Sequence, residues 1–135
     1  MIEYTSSKPT RSEYRHLFES AGWTSSIAIS DDVLQTAIDR SWYWISVYDG
    51  ERIVGIGRLV SDGALYAFVC DMIVLPDHRN QGIGSEILKR MKAKCTAHNI
   101  QRVWLFAAEG KTDFYLENGF DLRPEDAPGM QLKKN

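Results

Sequence analysis

Residues 74–84 read Val74-Leu75-Pro76-Asp77-His78-Arg79-Asn80-Gln81-Gly82-Ile83-Gly84. An apolar strand runs into Pro76, and Arg79-x-x-Gly82-x-Gly84 then opens a helix whose apolar stripe is Ile87, Leu88 and Met91. Two glycines at this junction let the backbone turn so that successive N–H groups converge on one spot. That spot lies at the positive end of the helix dipole, where an anion is stabilised with few side chains. The stretch reads as a phosphate cradle suited to a pyrophosphate. A P-loop is excluded because no Lys-Ser/Thr pair follows either glycine, and a three-glycine dinucleotide fingerprint is excluded because position 87 is Ile.

Outward from the cradle, the chain reads as one continuous unit, a single domain over 1–135, without repeats or linkers. Ile2 to Thr5 forms a short strand. Thr10 with Glu13 is a capping box opening a helix through about Ser20, and Ser30 with Asp31 and Asp32 opens a second helix. Residues 22–29 form the loop between them. Asp49-Gly50 joins strands at 44–48 and 53–60, and Asp62-Gly63 leads into a strand over 64–75. The helix after the cradle runs from about Gly82 to Ala97, closed by His98-Asn99, where Asn accepts the left-handed cap. Next come a strand at 102–108, a short helix at 112–117, and final strands at 119–122 and 130–133. A strand, crossover helix and strand must run parallel and right-handed, so 64–75 and 102–108 point the same way. Ligands in such sheets bind at the carboxyl ends of the strands, which is where the cradle lies.

The Arg-x-x-Gly-x-Gly pattern resembles the acetyl-CoA-binding motif of the GCN5-related N-acetyltransferase superfamily. Phe114-Tyr115-Leu116-Glu117-Asn118-Gly119-Phe120 is similar to the family's later signature, aromatic-Tyr-x-x-x-Gly-Phe. The tail, Arg123-Pro124 followed by Pro128-Gly129-Met130, is similar to small bacterial members. The resemblance covers residues 53–133 and implies an α/β fold with a mixed, mostly antiparallel sheet, splayed at the cofactor site and flanked by about four helices. It implies acetyl-CoA as co-substrate, without a metal. Its phosphates would be held by the backbone at Arg79, Asn80, Gln81, Gly82, Ile83, Gly84 and Ser85, and its pantetheine amides by Met72, Ile73 and Val74. It also implies that Tyr115 protonates the leaving thiolate.

A phenol suits that task, because a thiol of pKa about 8.5 leaves beside a Tyr of pKa about 10 that can donate a hydrogen bond and then its proton. The acceptor amine needs a base, since an alkylamine of pKa about 10.4 is only about one part in 10³ neutral at pH 7. Family members often carry Glu or His on the strand before the cradle; Phe68 and Cys70 stand at those positions here. Asp71 is the single charge in 67–75, and strand alternation points it away from the face of Phe68 and Cys70. Asp71 reads first as a structural carboxylate; Asp71, Glu109 and a water chain all stay open as the base.

The remaining candidates have plainer readings. His78 reads as a solvent-facing turn residue. Trp42 and Trp44 read as core or loop anchors, and Trp23 as an anchor that would line the acceptor pocket if the family layout holds. Lys89, Arg90, Lys92 and Lys94 form a solvated helix side, while Glu13, Asp31, Asp32 and Glu109 would favour a cationic amine only if they face the site. Cys70 and Cys95 lack metal-ligand spacing to each other or to His16, His78 and His98, and read as reduced thiols.

A net charge of −2 over 135 residues provides no field for nucleic acid, and no apolar run approaches the roughly 20 residues of a membrane span. The N-terminus carries no signal-peptide pattern, so a cytoplasmic location is expected. The expected activity is direct acetyl transfer from acetyl-CoA to a primary amine of a small molecule through a ternary complex. A protein lysine or N-terminus as acceptor, or a non-catalytic sensor of acetyl-CoA or CoA, are the alternatives. A homodimer is possible on the family pattern.

Overall fold

The structure is a computed structural model and describes residues 1–22 and 28–134. Trp23 and the adjoining part of the 22–29 loop lie outside the described residues. The chain groups into two compact units, Met1–Leu105 and a second beginning at Phe106.

The first unit is built on a five-stranded sheet in the order β1(Ile2–Thr5), β2(Tyr43–Asp49), β3(Arg52–Ser61), β4(Tyr66–Val74), β5(Arg102–Leu105). Every neighbouring pair is antiparallel except β4 and β5, which are parallel as the crossover through the third helix requires. The elements start where the sequence supplies caps. Thr10 accepts from the N–H of Glu13 while the Glu13 carboxylate accepts from the N–H of Thr10, opening α1(Arg11–Ser20); Ser30 caps α2(Asp31–Arg40) through the N–H of Val33. The Asp62 carboxylate accepts from the N–H groups of Ala64, Leu65 and Tyr66 at the β3–β4 turn. The helix α3(Ile83–Ala97) ends just before Asn99, which takes the left-handed conformation at φ 53°.

The sheet is buried on two sides. On one, Ile87 and Met91 of α3 lie against Gly57 of β3 and Met72 of β4. On the other, Tyr14 of α1 packs edge-on against Trp44 of β2, whose indole N–H donates to the Ile38 carbonyl of α2 at 3.2 Å. Trp44 is thus a core anchor, as read, whereas Trp42 is half-buried and stacks edge-on against His98.

The second unit contains α4(Thr112–Glu117) and a hydrogen-bonded turn from Pro124 to Ala127. Two expectations fail in this part of the chain. No strand forms at 119–122 or 130–133 among the described residues, and β5 ends at Leu105 instead of reaching 108. Leu122, Met130 and Leu132, the apolar residues behind that expectation, are largely exposed. Without a neighbouring ladder, apolar character alone does not make a strand. Among the described residues, no helix is long and apolar enough to cross a membrane.

Candidate functional site

The cradle is built by three departures from regular backbone. After β4, Pro76 starts a single 3-10 turn ending at His78; Asn80 then takes φ 62° and Gly82 takes φ 81°, both left-handed. Gly82 is the N-cap of α3, and among the described residues no side chain caps that end. The first four N–H groups of any α-helix lack an intrahelical acceptor, so those at the start of this 15-residue helix are available to an anion. Among the described residues, a Cβ placed on Gly82 would meet nothing within 4 Å, so the space beside that residue is open. The Arg79 guanidinium turns back instead, its Nε donating to the Val74 carbonyl at 3.0 Å and tying the cradle to the end of β4.

His78 holds the turn from below. Its Nδ1 lies 2.9 Å from Asp77 Oδ1 and its Nε2 3.0 Å from Asp49 Oδ2, both donating when the ring is protonated, and Arg52 Nη1 donates to Asp77 Oδ2 at 3.0 Å. The β2–β3 hairpin is thereby fastened to the cradle. Hydrogen bonds to Asp49 and Asp77 hold the imidazole above its ordinary value of 6.5. His78 is a turn residue as expected but not a solvent-facing one: its side chain is only 12% exposed, because the ring is turned onto Asp49 and Asp77.

The strand before the cradle is open on one side. β4 pairs with β5 only from Tyr66 to Val69, so among the described residues positions 70–74 have no strand partner on that edge. On the other edge the ladder to β3 slips, with Arg58 opposite Cys70 but Ile56 opposite Ile73, leaving Asp71 and Met72 against Gly57 alone. This is a β-bulge, and Asp71 sits in it at φ 50°, a conformation uncommon for a residue with a Cβ. Bulges bend and twist a strand, and this one lies just past Val69, the last residue of β4 paired with β5.

The bulge also corrects the expected direction of Asp71. Alternation sends it away from Cys70, but the extra residue returns it to the α1 side. There Tyr14 Oη and Arg58 Nε both donate to Asp71 Oδ2, each at 2.5 Å, and Arg58 Nη1 donates to Ser41 Oγ at the end of α2 at 3.2 Å. Asp71 and Arg58 keep only 12% and 18% of their side-chain surface exposed. Burial, with the Asp71 charge next, pushes the Tyr14 phenol far above its usual range. Sequence reasoning missed Tyr14 and Arg58, though one signal was present: Arg58 is the single charge in 53–60, as Asp71 is in 67–75.

The second unit holds Tyr115 on α4. Its ring packs edge-on against Phe114 at 5.1 Å and Phe120 at 6.0 Å. Among the described residues nothing hydrogen-bonds its hydroxyl, and burial raises its pKa above 10.0. Glu109 is exposed.

Several charges considered for an acceptor have structural duties. Asp31 takes Arg15 at 2.8 Å, and Glu13 serves the α1 cap and accepts from Tyr48 Oη at 3.1 Å. On α3, Arg90 pairs with Glu86 and lies over the Tyr4 ring, and Lys94 lies over Trp42 and Tyr43. Cys70 and Cys95 are free thiols, the first half-buried and the second buried.

Comparison with known proteins agrees with this architecture. The model of the Acetyltransferase (GNAT) family matches residues 10–120. Among curated relatives, GCN5-related N-acetyltransferase 2, chloroplastic, of Arabidopsis thaliana is 32% identical over 87 residues, covering 61% of this chain and 34% of that protein. Histone acetyltransferase TAP1 of Glycine max is 31% identical over 80 residues, covering 59% and 35%. The chain therefore spans about a third of the length of these curated relatives. A solved structure of a Staphylococcus aureus protein of unknown function superposes with a TM-score of 0.87 at 23% identity, covering 99% of this chain and all of that one, which shows a shared fold.

Proposed function

Because the chain belongs to the acetyltransferase (GNAT) family, we propose that it binds acetyl-CoA at the junction of β4 and α3 and transfers the acetyl group directly to a primary amine of a small molecule. The observation that carries this reading is the uncapped N-terminus of α3, opened by left-handed Asn80 and Gly82 beside the unpaired edge of β4. A pyrophosphate fits the chemistry of that end: free N–H donors, the positive end of a helix dipole and open space beside Gly82.

When bound, acetyl-CoA supplies an activated acetyl thioester. The backbone from Arg79 to Ser85 holds its phosphates, and the open edge at Met72, Ile73 and Val74 holds its amides. Tyr115 Oη gives its proton to the departing thiolate; the buried phenol holds that proton at neutral pH, although burial also makes it a weaker acid. Asp71 is a poor base because one of its oxygens already takes two short hydrogen bonds, from Tyr14 and Arg58. The proton of the attacking amine passes to Glu109 or to water. No acyl-enzyme forms, and the two substrates react in one ternary complex.

A second reading, in which the acceptor is a protein lysine, is favoured by the name of the Glycine max relative, a histone acetyltransferase. Both readings share the cradle. The test is thermal unfolding with saturating acetyl-CoA beside NAD and ATP, followed by amine-dependent thiol release with small amines and with peptides. Ligand at 100 times its dissociation constant adds about 2.7 kcal/mol, raising the midpoint on the order of 10 °C in a domain of this size. No shift in folded protein overturns the proposal; a shift without amine-dependent thiol release leaves a sensor.

A further inference from the structure

The β4 bulge is an unusual place for aspartate. Its backbone is left-handed, a region that glycine enters freely and aspartate or asparagine only occasionally, and its carboxylate is largely removed from water. Both costs are offset by the same two donors, Tyr14 from α1 and Arg58 from β3, which meet on Asp71 Oδ2 at 2.5 Å. Each donor is itself fixed. The Tyr14 ring is buried edge-on between Phe18 and Trp44, and Arg58 reaches Ser41 Oγ, which in turn donates to the Ala37 carbonyl at the end of α2. One carboxylate thus gathers α1, α2 and β3 onto the residue immediately before Met72.

Fold stability alone would be met by an apolar residue in a regular strand, since replacing a buried ion pair with apolar side chains is often neutral or stabilising. What this arrangement adds is a fixed strand path. β4 pairs with β5 no further than Val69, opposite the end of β5 at Leu105; the bulge at 71–72 comes next, and the backbone that follows it is the open edge at positions 72–74. On the opposite face Gly57 leaves room for Met72, so the bulge is matched by packing on both sides of the sheet.

We propose that Tyr14, Arg58 and Asp71 form a positioning triad whose task is to hold the β4 bulge, and with it the open backbone of Met72–Val74, in the conformation that binds the amide-bearing arm of an acyl-CoA. The inference rests on the function proposed above. It assigns to Tyr14 and Arg58, to which the proposed function gives no contact with acetyl-CoA, control over co-substrate affinity. Loss of a donor lets the strand relax toward regular pairing, so the open edge is no longer presented.

The experiment measures CoA and acetyl-CoA dissociation constants by calorimetry for the wild type, Tyr14→Phe and Asp71→Asn, at a temperature where thermal scans show all three folded. Tyr14→Phe keeps the buried ring and removes only the donor; Asp71→Asn keeps tolerance of the left-handed backbone and removes the charge. Both are expected to weaken CoA binding about tenfold or more, and to raise the KM for acetyl-CoA while leaving the KM for the acceptor within about twofold. Amide hydrogen exchange at 72–74 is expected to change in the same variants. Wild-type affinity in both folded variants, or equal rises in the two KM values, overturns the triad's positioning role. Absence of CoA binding by the wild type itself overturns the function on which it rests, and the triad's role with it.

Discussion

Met72 lies over Gly57 so closely that a Cβ on the glycine would stand 2.9 Å from Met72 Sδ. The same Cβ would come within 2.7 Å of Ile87 Cγ2 and 3.1 Å of Met91 Cε. The methionines can swing aside, but the β-branched methyl of Ile87 has little freedom in a helix. Gly57→Ala is therefore expected to destabilise by about 1–3 kcal/mol through overpacking. Scanning calorimetry would show this as a midpoint lowered by roughly 4–10 °C. An unchanged midpoint would mean that α3 yields freely over the bulge.

At Gly82 the constraint is conformational instead of steric. Its φ of 81° disfavours any Cβ, while the space around it is open. Gly82→Ala is expected to cost about 1–2 kcal/mol of stability, and Gly82→Asn less, because asparagine tolerates the left-handed region. Because Gly82 sets the backbone path into the helix end, both variants are expected to bind acetyl-CoA at least tenfold more weakly. Equal affinity in all three proteins would place the phosphates elsewhere.

The contrast between these sites explains what the sequence could disclose. Caps and turns were legible because their causes are local: Thr10 with Glu13, Ser30, the Asp-Gly pairs, and the glycine step at Gly82 each act within a few residues. The cradle and the parallel β4–β5 pair followed from such signals. The bulge did not, because its causes are remote. Asp71 is turned by Tyr14, 57 positions away, and by Arg58, 13 positions away, and no periodicity reports either. The strands expected at 119–122 and 130–133 failed for a related reason: Leu122 and Leu132 look like strand residues locally, but a strand exists only with a partner edge.

The brace beneath the cradle predicts a pH dependence of stability. His78 is held above its ordinary 6.5, so its contribution is fully present below that value and is lost as pH rises through the folded-state value. Asp49 and Asp77 are held below 3.8, chiefly by His78, so theirs is present above that value and is lost as pH falls through their folded-state values. The contributions of His78, Asp49 and Asp77 therefore overlap between the ordinary carboxylate and imidazole values; Met1 also donates to Asp49, and Arg52 to Asp77. His78→Gln is expected to lower the unfolding midpoint more at pH 5.5 than at pH 8.5. A deficit that is the same at both pH values would show that the imidazolium contributes nothing beyond its neutral hydrogen bonds.

Tyr115→Phe separates chemistry from packing in the second unit. The substitution leaves the ring between Phe114 and Phe120 and removes only a hydroxyl for which the described residues supply no partner. If that hydroxyl donates the proton to the leaving thiolate, turnover should fall at least tenfold while acetyl-CoA affinity stays within about twofold, the pattern of an interaction made in the transition state. Because burial raises the phenol's pKa, the wild type keeps its acid form past pH 10.0, and this group should produce no loss of turnover between pH 7 and 9. Steady-state kinetics with thiol detection checks both points. Equal turnover in the two proteins would leave Tyr115 as a packing residue and return the leaving thiolate's proton to water.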